Sequence, residues 1–284
     1  MSRIAFQGEP GAFSHQACRT YFPDFEPVAC ATFEDAFAAI QSGDCRFGLI
    51  PFENLLAGRV SDVHHLLPHS KLKVIGERFL PIHMQLMAGP GVRLEDLTSV
   101  QSHPMALAQC RKLIRELKLQ AVAVSDTAGA ARDLGEHPDP TRAAIAPAMA
   151  AELYGLEILR RDIEDAQGNA TRFLLLTAGT DTPAPGADVA CITSFMFRVR
   201  NVPAALYKAL GGFATNGANL IKLESHMEPG GFTATMFYAE VEGRPTDKGL
   251  VFAFEELGFF SSEIEVLGTY PADAFREELA ARKG

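Results

Sequence analysis

The first 177 residues alternate short apolar runs with helix-like patterns, and that alternation confines the chain to βα units feeding a parallel or mixed sheet. The runs fall at residues 3–7, 47–50, 99–101, 121–124, 143–146 and 173–176. Helix boundaries are marked between them: Thr32 with Asp35 forms a capping-box pattern, Pro104 and Pro147 suit first-turn positions, and Gly155 after Tyr154 suits a helix stop. Residues 76–81 read as a crossover between two halves, with the chain returning near residue 165. This order predicts two lobes, about 1–76 with 166–177 and 77–165, and a cleft between them. In an open α/β sheet, ligands bind beyond the carboxyl ends of the strands. Polar clusters at residues 8–14, 51–54 and 102–109 follow apolar runs. A fourth, Asn-Ala-Thr-Arg-Phe at 169–173, runs into Leu174-Leu175-Leu176 and sets a hydroxyl and a guanidinium at the mouth of a buried strand. Four segments are thus placed to converge on one crevice.

Residues 178–187 lack periodicity and concentrate Pro, Gly and Thr, which reads as a linker. Beyond it Phe195, Phe197 and Val199 alternate in a strand, residues 203–213 are helical and 220–225 extended. Pro229-Gly230-Gly231 turns into a strand over 232–241, residues 248–257 are helical, and 264–268 closes as a strand. The order is βαββαβ, a ferredoxin-like unit.

At 284 residues and 47% hydrophobic, the chain is long enough for two domains and a sizeable core. Its formal charge of -9, with no long run of Lys or Arg, argues against a nucleic-acid partner, because neutralising phosphates needs a basic face. Cys18, Cys30, Cys45, Cys110 and Cys191 are odd in number and lack Cys-x-x-Cys spacing, so they read as reduced thiols in a cytoplasmic protein. The start Met1-Ser2-Arg3 leads directly into a strand pattern, and no run approaches the roughly 18–20 apolar residues of a membrane helix. Secretion and membrane partners are not expected.

Each polar cluster supports a chemical and a structural reading. Residues 8–14, Gly-Glu-Pro-Gly-Ala-Phe-Ser, open a helix after a strand. Free backbone N–H groups there can cradle a carboxylate, or the glycines serve the turn alone. Neither a dinucleotide fingerprint nor a Walker loop is present. Glu53 and Asn54 follow Leu49-Ile50-Pro51, where proline fixes a bend. A carboxylate there orients donors or moves a proton, unless it is a solvated loop acid. Ser102 either caps the helix begun at Pro104 or offers its hydroxyl, with the Gln109 amide further along the same helix. His103 is a structural residue or a proton donor. Its adjacency to Ser102 and the absence of a Gly-x-Ser-x-Gly elbow argue against hydrolase chemistry. Asp126-Thr127-Ala128 repeats the strand, cap, helix arrangement. His64, His65 and His69 match no zinc spacing and lie on an amphipathic segment, which gives them a surface or packed role. Arg172 can grip a carboxylate at two points, or pair with Asp162 or Asp165.

Taken together, residues 8–14, Pro51-Phe52-Glu53-Asn54, Ser102-His103-Pro104 with Gln109-Cys110, and Asn169-Ala170-Thr171-Arg172-Phe173 resemble the prephenate dehydratase pattern in order and spacing over essentially the whole chain. The C-terminal unit resembles an ACT domain, with Asn219 to Ser225 standing where that family carries its amino-acid-sensing strand. The resemblance implies an α/β protein. Its catalytic domain over 1–177 is two-lobed and periplasmic-binding-protein-like (type II), and a ferredoxin-like ACT domain with a C-terminal tail occupies 188–284. It implies conversion of prephenate to phenylpyruvate, water and carbon dioxide, with no cofactor and no metal. On this resemblance Thr171 hydrogen-bonds the leaving oxygen, with Glu53, Ser102 and Gln109 beside it. Gly11, Ala12, Phe13, Asn54, Thr127, Arg172 and Phe173 bind substrate, Phe173 against the ring. L-Phenylalanine would bind through Ala204, Ala205, Leu206, Asn219, Leu220, Glu224 and Ser225 at an interface between ACT domains, giving a homodimer or homotetramer. No helical mutase-like domain is expected ahead of residue 1.

Three departures from the pattern stand out. Leu55 replaces the Ser that usually follows Glu-Asn, His226-Met227 replaces Arg-Pro after Ser225, and Pro203-Ala204-Ala205-Leu206 stands where Gly-Ala-Leu is usual. Two rivals share the same residues: a dehydratase acting on arogenate, and a non-catalytic sensor that binds a small acid.

Overall fold

Every apolar run of the first 177 residues falls on a strand in the computed structural model, which describes residues 2–179, 185–186, 188–200, 202–227 and 234–281; β3 runs four residues past its run and β11 starts three residues before its own. The chain divides into two compact units, Met1–His64 with Arg78–Phe173, and His65–Glu77 with Leu174–Gly284. Most of the expected linker and the turn at Pro229-Gly230-Gly231 lie outside the described residues.

The chain begins β1 (Arg3–Gln7), α1 (Phe13–Tyr21), β2 (Glu26–Cys30), α2 (Phe33–Gln41), β3 (Phe47–Asn54), β4 (Gly58–Arg59), α3 (Ser61–Leu66) and β5 (Lys73–Pro81). It continues with β6 (Gln85–Ala88), β7 (Ser99–Ser102), α4 (Pro104–Gln109), α5 (Arg111–Glu116), β8 (Gln120–Ala123), α6 (Thr127–Glu136), β9 (Arg142–Ala146), α7 (Ala148–Tyr154), β10 (Glu157–Arg160) and β11 (Ala170–Thr177). Two sheets result, in the orders β2-β1-β3-β11-β5, with β4 on β3, and β10-β6-β9-β7-β8. The β1 ladders to β2 and β3 are parallel, as are those of β7 to β8 and β9, whereas β6 runs antiparallel to β9 and β10. Ile4, Ala5 and Phe6 are all buried, because a parallel central strand is covered on both faces.

Local signals act as expected where the partners are close in sequence. Thr32 and Asp35 close a reciprocal capping box, and Gly155 ends α7 in the left-handed region at φ 67. Three readings are corrected. Residues 76–81 form the second half of strand β5, so the crossover to the second sheet comes after Pro81. Pro147 is the N-cap of α7, one residue ahead of its first turn. Pro51 makes no bend: it lies inside β3, between the stretch paired with β1 and the stretch paired with β4, where a missing N–H is tolerated.

The second unit contains β12 (Cys191–Val199), α8 (Ala205–Thr215), β13 (Leu220–Met227), β14 (Ala234–Glu242), α9 (Lys248–Phe260), β15 (Ser261–Pro271) and α10 (Phe275–Ala281). Its sheet order is β13-β14-β12-β15, with antiparallel ladders throughout. Phe195, Phe197 and Val199 pack with Phe213, Leu250 and Leu257 of α8 and α9. Ile192, Ser194 and Met196, on the alternate positions, are buried too. They belong to the face of Glu240, where α10 and Glu77 of β5 come in: Arg276 of α10 forks onto fully buried Glu77 at 2.6 and 2.7 Å and lies 3.7 Å from Glu240. Helix α10 occupies what reads in the sequence as a tail.

Candidate functional site

Strands β3 and β11 are neighbours and carry two of the four polar clusters. The Leu55 N–H donates to the Ala170 carbonyl at 3.0 Å, Asn54 meets Thr171 and Glu53 meets Arg172, so the two strands run antiparallel with these residues opposite one another. Asn54 Oδ1 accepts from the backbone N–H groups of Leu56 and Ala57 at 3.0 and 2.9 Å, which fixes which end of the amide is oxygen. Its Nδ2 therefore faces Thr171 and donates to Oγ1 at 3.0 Å. Because Oγ1 accepts there, the hydroxyl proton of half-buried Thr171 points elsewhere and is free to donate to a third group. One position along, Arg172 Nη1 donates to Glu53 Oε1 at 2.9 Å, and the guanidinium lies 5.7 and 6.0 Å from the ring centres of Phe52 and Phe79. The Arg172 side chain is 3% exposed and that of Glu53 31%.

This arrangement differs from the single polar wall expected. Thr171 and Arg172 lie within β11, not ahead of it, and Glu53 and Asn54 are the last residues of β3, held by the short hairpin to β4. Successive side chains leave opposite faces of a strand. The Asn54–Thr171 pair and the Glu53–Arg172 pair therefore stand on opposite sides of the sheet. Arg172 takes Glu53 as its acid in place of Asp162 or Asp165, and Phe173 is a core residue at 1% exposure.

The connection that leads into β11 joins α4. Asn169 Nδ2 donates to Gln109 Oε1 at 3.2 Å, and the Asp165 N–H donates to the Gln109 carbonyl at 2.6 Å. Gln109 thus stands two residues of chain from Thr171. Its neighbour Cys110 is fully buried, and burial, with the Asp165 and Glu164 charges adding, pushes the thiol up to about 12, far from nucleophilic. Ser102 is placed elsewhere. It ends β7 with no exposed surface and donates to the Ile145 carbonyl of β9 at 2.6 Å, while His103 caps α4 by accepting the Met105 N–H on Nδ1. The expected serine cap is therefore a histidine cap, because the strand ladder continues through residue 102 and turns its side chain inward.

The third cluster forms its own group. The Gly8 N–H donates to Cys30 O, Ala12 N–H to Glu9 O and Gly11 N–H to His15 Nδ1, so these three N–H groups of the cluster are already used, while α1 begins at Phe13 with no side-chain cap on its first turn. Burial, with the Arg19 charge adding, holds the His15 imidazole below its usual range, in the neutral form that leaves Nδ1 able to accept. His15 sits one helical turn from Gly11, a spacing visible in the sequence that the motif reading passed over. Gly11 has φ +91, and a Cβ there would lie 3.1 Å from the Ala150 Cα, so the glycine serves the backbone and the approach of α7. Glu9 pairs with Arg132, and Tyr154 donates to the Pro10 carbonyl. Asp126 caps α6, with Thr127 as its first residue. Between these parts lies a cavity of about 390 Å³ lined by Gln7, Gly8, Glu9, Cys30, Ser125 and Asp126, at the carboxyl ends of β1 and β2. Apart from Ser102 and Phe173, which are buried, the predicted residues of this unit form two groups, one around Thr171 and one around Gly8 and Asp126.

In the second unit Ala204 precedes α8 in the left-handed region at φ 59, with Ala205 and Leu206 in the first turn. Asn219 Nδ2 donates to Glu242 Oε2 at 2.9 Å, Lys222 Nζ donates to Glu224 at 3.4 Å, and Leu220, Glu224 and Ser225 lie on β13 against β14. Of the three histidines near residue 65, His64 is buried and stacked on Phe52 at 4.1 Å, whereas His65 and His69 are exposed and line a second cavity with Arg198 and His226. All five cysteines are free and buried, and among the described residues no helix is long and apolar enough to cross a membrane.

Comparison with known proteins places these residues in a family. The sequence model described as prephenate dehydratase matches residues 4–181. A bifunctional N-acyl-homoserine lactone acylase/prephenate dehydratase of Komagataeibacter europaeus is 47% identical over 97% of this chain and 98% of its own length. Arogenate dehydratase/prephenate dehydratase 2 of Arabidopsis thaliana is 37% identical over 95% of this chain and 73% of its own. The solved prephenate dehydratase of Arthrobacter aurescens in complex with L-Phe superposes with a TM-score of 0.85 at 28% identity, covering 99% of this chain and 98% of that one.

Proposed function

We propose that this chain, which belongs to the prephenate dehydratase family and is therefore a lyase, converts prephenate to phenylpyruvate for phenylalanine synthesis. In that reaction the bond from ring to carboxyl group breaks, its electron pair completes the aromatic ring, and the ring hydroxyl leaves and is protonated to water. Aromatisation supplies the driving force, so the protein need only hold a dianion and stabilise the departing oxygen. No cofactor is required.

One observation carries the assignment: the amide of Asn54, locked by two backbone N–H groups, turns the Thr171 hydroxyl so that its proton is available to an oxygen beyond it. A threonine hydroxyl is too weak an acid to supply the proton unaided, so its role is to stabilise charge developing on the leaving oxygen or to relay a proton from water. Asn54, Gln109 and Asn169 complete the donors on this side. Glu53 and Arg172 brace the same two strands from the other face as positioning residues. The cavity beside Gly8 and Asp126 is the proposed place for substrate carboxylates, reached through the groups that line it and Thr127, since the Gly8, Gly11 and Ala12 amides are engaged.

The βαββαβ unit over 191–271 is proposed to be an ACT domain that binds L-phenylalanine between paired subunits, through Ala204 to Leu206 and Asn219 to Ser225. The relative solved with L-Phe supports this reading. Feedback inhibition then requires phenylalanine to bind one state of the enzyme more tightly than the other.

The deciding assay incubates the protein with prephenate and follows phenylpyruvate by ultraviolet absorbance, with and without L-phenylalanine and with arogenate in parallel. Turnover of prephenate that falls on adding L-phenylalanine is expected. Faster turnover of arogenate would transfer the assignment to that substrate, and absence of both aromatic products would remove it. A second reading, acyl-homoserine lactone acylase, is favoured by the 47% identity across nearly the full chain to a protein named for both activities. Release of homoserine lactone from an N-acyl-homoserine lactone tests it independently.

A further inference from the structure

We propose that His83, Asp162 and Glu164 form a binding site for a single divalent transition-metal ion, of the zinc or cobalt type, that clamps the two chain connections between the sheets of the first unit. His83 lies between β5 of the first sheet and β6 of the second. Asp162 and Glu164 lie between β10 of the second sheet and β11 of the first. Each residue offers one ligand atom, and the three atoms lie within 4.8 Å of one another. His83 Nδ1 is 2.9 Å from Glu164 Oε1 and 3.8 Å from Asp162 Oδ1. Metal bonds of about 2.0–2.2 Å in tetrahedral array put ligand atoms about 3.4 Å apart, and the two measured separations bracket that figure.

The donors are already held in place. The Glu164 side chain is only 5% exposed, and its second oxygen accepts the Met84 N–H at 2.9 Å. Asp162 Oδ1 accepts from Gln85 Nε2 at 3.2 Å, and the Asp162 N–H donates to Gln85 Oε1 at 3.3 Å. Such outer hydrogen bonds orient metal ligands in built sites. Exposure of His83 and Asp162, 57% and 63%, gives solvent access for an ion and leaves further coordination positions to water. One imidazole with two carboxylates suits a borderline ion better than calcium or magnesium, which take oxygen ligands in larger number.

The clamp also bears on the neighbouring chemistry. Asp165 and Asn169 of the same connection bond Gln109, and Thr171 follows directly. An ion at residue 162 would therefore steady the segment that delivers the hydroxyl.

The test is calorimetric titration of the full-length, chelator-treated protein with zinc, and with cobalt while recording its visible absorption bands. One equivalent bound, weakened at least tenfold in His83→Ala, is expected. His83 is exposed, so this variant should fold; Asp162→Asn serves in its place if it does not. Failure to bind near one equivalent, or unchanged binding in the variant, overturns the site and sends any ion to other histidines such as His65 or His69. Binding is read without turnover, so the outcome stands apart from the dehydratase assignment.

Discussion

A threonine hydroxyl has one proton to give and two lone pairs to offer, and what fixes its use at position 171 is the residue opposite. Asn54 donates to Oγ1, so the proton faces away from Asn54. Removing one donor aimed at developing negative charge costs on the order of 10²–10³ in kcat. Thr171→Ala should lose that much with its thermal unfolding nearly unchanged, while Thr171→Ser keeps the hydroxyl and stays within about tenfold. Asn54→Ala should lower kcat by a smaller factor, about ten, because it removes the orientation and not the donor, and should cost roughly 1 kcal/mol of stability through the two backbone N–H groups it leaves. Steady-state kinetics on prephenate with parallel melts check these effects, and a Thr171→Ala enzyme of near-normal kcat would defeat the role given to this hydroxyl. The residue types at these positions are legible in the sequence. Their pairing is not: that Asn54 meets Thr171 and Glu53 meets Arg172 depends on strands 117 and 119 positions apart becoming neighbours.

Elements whose boundaries are set by nearby residues match the sequence reading, and those set by distant partners do not. The capping box at α2 and the glycine stop of α7 need only three or four residues to form. Helix α10 spans seven residues, too short to persist alone, and is held by Arg276 on Glu77, a partner 199 positions away. Helix α8 starts at Ala205 and not at Pro203, because Ala204 takes φ 59, a conformation that costs a non-glycine residue about 1–2 kcal/mol. The prephenate dehydratase pattern has glycine there. Ala204→Gly relieves the strain at a cost of about 0.5–1 kcal/mol in the freedom of the unfolded chain. We expect a net gain of roughly 0.5–1 kcal/mol, seen as a higher urea midpoint; a lower midpoint would mean that the alanine methyl contributes packing that outweighs the strain.

For the whole molecule, five buried thiols link stability to alkaline pH. Burial pushes Cys18 and Cys110 each to about 12 from an ordinary 9.0. Between those values the unfolded chain has released these protons and the folded chain keeps them, so stability is complete below about 9 and falls as pH rises toward 12. About 1 kcal/mol per thiol should be gone by pH 10. Urea midpoints in reductant at pH 8 and pH 10 should show the loss, and the Cys18→Ala/Cys110→Ala variant should flatten it; an equal drop in the variant would assign the effect to other groups. By itself the sequence determined the βα alternation, the βαββαβ order, the local caps and which polar residue types cluster after strands, because hydrophobic period and turn chemistry are properties of neighbouring residues. Tertiary structure alone decided that Ser102 and Phe173 turn into the core, that the amides of Gly8, Gly11 and Ala12 are satisfied internally, and that Thr171 and Arg172 face opposite ways. Those outcomes follow from which strands lie side by side and which face each presents, and no stretch of chain carries that information before the sheet closes.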